Sequence, residues 1–156
     1  MSFIGIVDNE KTVNQIKKEI KSKIQKNIEI ITINNKSIEN LSKIKFETIV
    51  INKKIDNKIM RELLKKAEYL ILNSDIEIDK SIIDGIDIKT ITYGMNHKTT
   101  ITASSIGEEE IIICIQREIE GIEREKVEPQ EVNIKMKNKN IYDLLMKFTI
   151  NMVYST

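Results

Sequence analysis

Residues 3–33 read FIGIVDNEKTVNQIKKEIKSKIQKNIEIITI. Two β-branched runs here enclose a stretch of helical period. Residues 3–7 form the pattern of a buried strand, and 28–33 that of a second. Between them, residues 11–26 place Val13, Ile16, Ile20 and Ile24 at spacings of three and four with lysines between, which predicts an amphipathic helix. A strand, a helix and a strand in this order imply parallel pairing, because a parallel connection has to cross back over the sheet. The rhythm continues, with a short helix over 37–44, a strand over 48–52 and a helix over 56–67 with Asp56 as its N-cap. A strand over 69–72, a turn at 81–84 and a strand over 89–93 follow. The expected fold class is therefore α/β, with a mainly parallel sheet of about five strands over residues 1–93 and helices on both faces.

After Gly94 the pattern changes. Residues 99–104 and 110–116 are two strand-like runs joined by the turn Ser105-Ile106-Gly107, a hairpin signal. A glutamate-rich stretch, 117–129, ends at the sole proline, Pro129. It leads into 132–136, where Val132, Ile134 and Met136 face one way and Asn133 and Lys135 the other. Residues 140–154 return to helical period, with Ile141, Leu144, Leu145, Phe148 and Met152 on one stripe. Antiparallel strands are thus expected in the C-terminal third, closed by a docked helix. No repeat or linker divides residues 1–156, and the length suits one domain.

Isoleucine fills 34 of the 156 positions while Trp is absent, so the core is built from branched aliphatic side chains. Net charge is +1, and no global field draws the chain to nucleic acid or a membrane. The charge is unevenly distributed. Residues 1–66 hold 15 Lys/Arg against 8 Asp/Glu, and the rest hold 10 against 16. These complementary halves leave a protein partner or a second copy of the chain as the expected partner class. Cys114 sits in the apolar run Ile111-Ile112-Ile113-Cys114-Ile115 and is expected to be a buried thiol; a lone cysteine excludes a disulfide framework. The first residues lack a secretion signal and no apolar run reaches about 18 residues, so the expected location is cytoplasmic.

Three segments carry candidate chemistry. Gly5-Ile6-Val7-Asp8-Asn9-Glu10-Lys11-Thr12 fits the phosphate-loop template G-x-x-x-x-G-K-[ST] except that Glu10 replaces the second glycine. That glycine lets backbone N–H groups close on phosphates, and Glu10 and Asp8 put negative charge where an anion would lie. The loop formed by Gly5, Asp8, Glu10, Lys11 and Thr12 is read as degenerate, with no cofactor expected. The second segment, Tyr69 to Asp75, puts Asn73 and Asp75 just past a strand, where ligands of open α/β sheets gather. The third carries Tyr93 and the only histidine, His97, which has no partner at metal-ligand spacing; no metal is expected. Asn73, Asp75, Tyr93 and His97 are the candidate cleft.

The order of these landmarks resembles the central domain of the Mur ligases, the ATP-dependent amide-bond enzymes of cell-wall peptide synthesis. The likeness rests on Tyr69 to Asp75, on Ile91-Thr92-Tyr93-Gly94, and on Thr100-Ile101-Thr102-Ala103-Ser104. Residues 133–153 look like that family's final strand and the helix opened by a His-Asn-x-x-Asn signature, here Lys139-Asn140-Ile141-Tyr142-Asp143. The resemblance implies shared architecture. Its departures imply lost chemistry: Glu10 stands before Lys11-Thr12, and Asp143 stands where the family has an adenine-binding asparagine. The stretch that holds magnesium ligands is shortened, and the C-terminal domain has no counterpart. The function expected on this reading is a non-catalytic Mur-ligase-like domain acting through protein contacts in cell-envelope or sporulation physiology. The alternative is a small-molecule binder or enzyme using a cleft at the sheet's carboxyl edge.

Overall fold

A computed structural model describes residues 1–21, 24, 26–135 and 140–154. Its strands are β1 (Ser2–Val7), β2 (Ile28–Ile33), β3 (Thr48–Ile51), β4 (Tyr69–Asn73), β5 (Lys89–Tyr93), β6 (Ile101–Ile106), β7 (Glu110–Ile115), β8 (Ile119–Glu120), β9 (Lys126–Val127) and β10 (Gln130–Lys135). The helices are α1 (Glu10–Lys21), α2 (Ile59–Lys66), α3 (Lys80–Ile83) and α4 (Ile141–Tyr154), with a 3₁₀ turn at Ile38–Leu41. Eight strands form one sheet in the order β10-β7-β6-β5-β4-β3-β1-β2, and β8 and β9 form a small antiparallel pair. Strands β1 to β5 are parallel to their neighbours, while β7 runs antiparallel to both β6 and β10. The fold is thus α/β, mostly parallel, with antiparallel additions in the C-terminal part.

Alternation along the strands feeds two cores. Ile4, Ile6, Val50, Ile71, Ile91 and Tyr93 pack on one face against Val13, Ile16 and Ile20 of α1 and Leu144, Leu145 and Phe148 of α4. Val7, Ile33, Ile49, Ile51 and Leu70 face the other way, onto Ile38, Met60, Leu63, Leu64 and Ile82. The central strands read as continuous apolar runs because both their faces are covered. β6, β7 and β10 turn Ile101, Ile111, Ile113, Val132 and Ile134 onto the first core only. Cys114 accordingly points away from that core and is half-buried, not the buried thiol expected.

Parallel β5 and β6 are joined by only residues 94–100. Their register pairs Tyr93, the last residue of β5, with Ile101, the first of β6. β6 begins at the level where β5 ends, so the chain needs no crossover, and β6 extends the sheet beyond the carboxyl edge of the parallel strands.

Several boundaries differ from expectation. Asp56 does not cap α2: the helix starts at Ile59 after Lys58, and Asp56 faces Lys54 instead at 3.7 Å. Asn57 takes over locally, its side-chain oxygen accepting the Ile59 N–H at 2.9 Å. Ile106 belongs to β6, so the hairpin turn falls after it. The turn at 81–84 is the short helix α3, whose N-cap Asp79 accepts the Ser81 N–H at 3.0 Å. The glutamate-rich stretch holds β8 and β9, pinned by the Tyr69 hydroxyl, which donates to the carbonyls of Glu120 and Gly121. The expected tail of α1 beyond residue 21 falls partly, and Met136 wholly, outside the described residues.

Candidate functional site

The carboxyl ends of β1, β3, β4 and β5 meet the first turn of α4. β1 runs through Val7, which puts Gly5 inside the strand and not in a phosphate loop. Its missing side chain serves packing, since a Cβ there would collide with Ile33 and lie 3.0 Å from Phe46 Cε1. Only Asp8 and Asn9 connect β1 to α1. Asn9 caps the helix, its Oδ1 accepting the Thr12 N–H at 2.8 Å. Glu10 and Lys11 are exposed in the first helical turn, where an acid suits the helix dipole.

Asn52, just past β3, is the hub of a buried polar network. Its Nδ2 donates to Asp8 Oδ2 at 2.7 Å and to Asp143 Oδ1 at 3.1 Å. Its Oδ1 accepts from the Tyr93 hydroxyl at 2.5 Å and from Asn73 Nδ2 at 3.3 Å. All four positions of one amide are used, and Asp8 takes a further bond from the Asn9 N–H at 2.7 Å. Burial, reinforced by Asp8 and Asp143, pushes the Tyr93 phenol well above its ordinary range, so this hydroxyl stays a donor. Burial and then the nearby Asp8 charge also raise Asp143, against the opposing Asn52 bond and Lys53.

Because its folded-state pKa is raised, Asp143 favours folding in acid, and that contribution is lost as pH rises through the raised value. Asp143→Asn keeps an oxygen for Asn52 and removes the repulsion. The variant should melt higher than wild type at neutral pH, with a gain below about 1 kcal/mol because solvent screens a half-buried group. The gap should close below the carboxylate range; thermal melts at several pH values would detect it, and an equal gap at every pH would contradict this origin.

Of the four residues expected around a cleft, the structure brings Asn73 and Tyr93 into this network but buries both, at 2% and 0% exposure. Asn73 nevertheless lines, with Asn52, Lys53, Asp75, Tyr142 and Asp143, a hollow of about 210 Å³ at this edge, whose lining does not include Tyr93 or His97. Asp75 belongs to an adjoining cluster, where its carboxylate accepts from the Met95 N–H at 2.6 Å, Asn96 Nδ2 at 2.7 Å and the Tyr142 hydroxyl at 2.9 Å. Partial burial works to raise its pKa, but these bonds outweigh it and hold the carboxyl below its ordinary value. His97 is exposed in the turn after Asn96, away from the network. Asn140 opens α4, its Oδ1 accepting the Tyr142 N–H at 2.8 Å, which aims Tyr142 at Asp75 and Asp143 at Asn52. Lys139 lies outside the described residues. Among the described residues, no group of three or more His, Cys, Asp or Glu side chains could hold a metal ion.

A larger open space lies one step along the edge, beside β1. A hollow of about 840 Å³ is bounded by Asp8, Asn9 and Glu10, by Asn34, Asn35, Lys36 and Ser37 after β2, and by Lys53 and Lys54 after β3, over Val7, Ile33 and Ile55. Sheet order explains its position. In the run 2-1-3-4-5, the connection after β1 leaves over one face toward β2, whereas that after β3 leaves over the other toward β4. The diverging loops open a crevice at the topological switch point. The loop after β2 is held in shape from within: Asn34 Oδ1 accepts the Lys36 and Ser37 N–H groups at 2.9 Å each, and Ser37 Oγ donates to the Thr32 carbonyl at 3.0 Å. Sequence reading missed Lys36 and Lys53. The available signal was the polar run Asn52-Lys53-Lys54 immediately after an apolar strand, but its importance depends on β1 and β3 being neighbours.

The molecule is thus a doubly wound α/β sheet of 2-1-3-4-5 order extended by an antiparallel flank, with a polar crevice at its switch point. No protein-family model and no curated protein matches the chain. Among the described residues, no helix is long and apolar enough to cross a membrane.

Proposed function

We propose that the chain is a non-catalytic, Mur-ligase-like binding domain that takes a small molecule in the crevice beyond β1, β2 and β3. The observation that carries this reading is the hollow itself: about 840 Å³ falls within the roughly 300–1,000 Å³ usual for ligand sites, at the place where such sheets bind ligands. The internally bonded loop 34–37 adds a wall that needs little ordering on binding. Action through protein contacts has less support. The basic and acidic halves fall at opposite ends of the sheet, yet Met1, Met95 and Ile106 are the only large hydrophobic side chains exposed among the described residues.

The geometry argues against a nucleoside triphosphate. A phosphate loop needs several free N–H groups around an open turn, whereas β1 and α1 are joined by two residues and Asn9 engages the Thr12 N–H. Glu10 adds repulsion, about 4 kcal/mol for one like-charge contact at 4 Å and an effective dielectric near 20. Calorimetric titration with Mg-ATP should be silent for wild type and at best weak for Glu10→Gly. A screen of small metabolites followed by backbone amide shifts should move residues 34–37 and 53–55. Micromolar Mg-ATP binding by wild type, or a screen that leaves those amides unmoved, would overturn the reading.

A further inference from the structure

The polar groups around the crevice divide into those already engaged and those left free, and the free ones define a ligand. Both Asp8 carboxylate oxygens accept hydrogen bonds, from Asn9 and Asn52. Asn9 and Asn34 use their side-chain oxygens on backbone N–H groups, and Ser37 uses its hydroxyl on Thr32. Lys54 is paired with Asp56 at 3.7 Å. Glu10, Asn35, Lys36 and Lys53 remain, all exposed and all lining the hollow, and of these Lys36 and Lys53 are the cations, neither of which forms an ion pair among the described residues. These two stand just past β2 and β3, which flank β1 on either side, so the two lysines line one hollow from opposite walls, and Lys53 also borders the smaller hollow where its charge acts on Asp143. Beneath them lie Val7, Ile33 and Ile55.

We propose that the crevice binds a small organic anion, its single carboxylate or phosphate group held by Lys36 and Lys53 and its apolar body resting on Val7, Ile33 and Ile55. This deepens the crevice-binding reading and rests on it. Two cations facing one anionic group give attraction that long, flexible lysines can follow as ligands differ in shape. The acidic groups on the β1 wall, Glu10 and Asp8, work against a second anionic group, so the site selects one charged end joined to an uncharged body.

The test uses phenyl phosphate and phenylacetate as probes, with benzyl alcohol as the neutral control, on the full chain by amide shift titration. Either anion should move the amides of residues 9–11, 34–37 and 53–55, and the tighter of the two identifies phosphate or carboxylate as the preferred group. Benzyl alcohol should bind at least about tenfold more weakly, and Lys36→Ala and Lys53→Ala should each weaken the anion by about fivefold to tenfold. Both lysines are exposed, so the variants keep the fold. Equal binding of benzyl alcohol, or anion affinity unchanged in both variants, would overturn the anion proposal and leave the crevice reading standing. No crevice shifts with any probe at millimolar concentration would overturn both.

Discussion

Asn52→Leu should destabilise the protein by about 3–6 kcal/mol, a large share of the roughly 5–15 kcal/mol available to an ordinary domain. Leucine fills a similar volume, so the effect comes from hydrogen bonding and not from a cavity. It would strand the buried Asp8 carboxylate, 3% exposed, without its side-chain donor, and leave the Tyr93 hydroxyl and the Asn73 amide without an acceptor. An unsatisfied buried group costs about 1–3 kcal/mol, and a charged one more. Asn52→Asp separates bonding from charge. It keeps an acceptor for Tyr93 but sets a third carboxylate against Asp8 and Asp143, so this variant should be unstable at neutral pH and recover as the medium is acidified through the carboxylate range. Denaturant melts of both variants at neutral and acidic pH are the measurement. A loss under about 1 kcal/mol for the leucine variant, or an aspartate variant that worsens in acid, would show that Asn52 is not the hub described.

Removal of α4 by ending the chain at residue 139 should abolish folding. The helix buries Leu144, Leu145, Met146, Phe148, Ile150, Val153 and Tyr154, and deleting one large core side chain costs about 2–5 kcal/mol. Several such losses exceed the whole stability of a domain. The helix is also tied in by polar contacts: Lys147 pairs with Glu19 of α1 at 2.9 Å, and the Tyr154 hydroxyl contacts Thr48 at 2.6 Å while donating to Glu47 at 3.0 Å. Its last turn carries the small β8–β9 pair, since the Ile122 N–H donates to the Val153 carbonyl at 2.8 Å. Circular dichroism and amide spectra of the truncated chain should show no cooperative melt. A truncation that melts like the full chain would mean that α4 only decorates the sheet.

Much of this architecture is written in local pattern. The runs at 28–33 and 89–93 coincide with β2 and β5 because a short run rich in β-branched and aromatic residues between polar breaks has few other stable forms. The stripe of Leu144, Leu145 and Phe148 marked α4 because a period of 3.6 collects large side chains on one face. Local pattern failed where a contact distant in sequence decided the outcome. Gly5 fits a loop motif in sequence, yet it sits within β1 where Ile33 and Phe46 leave no room for a Cβ. Asp56 has the chemistry of a cap but lies three residues before the helix.

The candidate site divides the same way. Sequence alone determined that the chain is α/β, that Glu10 occupies the glycine position of a phosphate-loop template, and that polar residues cluster at the carboxyl ends of two strands, at 73–75 and 93–97, because residue type and spacing are local properties. Tertiary structure decided which of those residues are buried and which face solvent. Asn73 and Tyr93 became ligands of Asn52, Asp143 joined them from 91 positions away, and the open crevice formed around Lys36 and Lys53. The physical reason is the order of strands. Each strand's register and neighbours are fixed by helices packing on both faces, and only when β3 lies beside β1 do their loops diverge and leave a hollow between them.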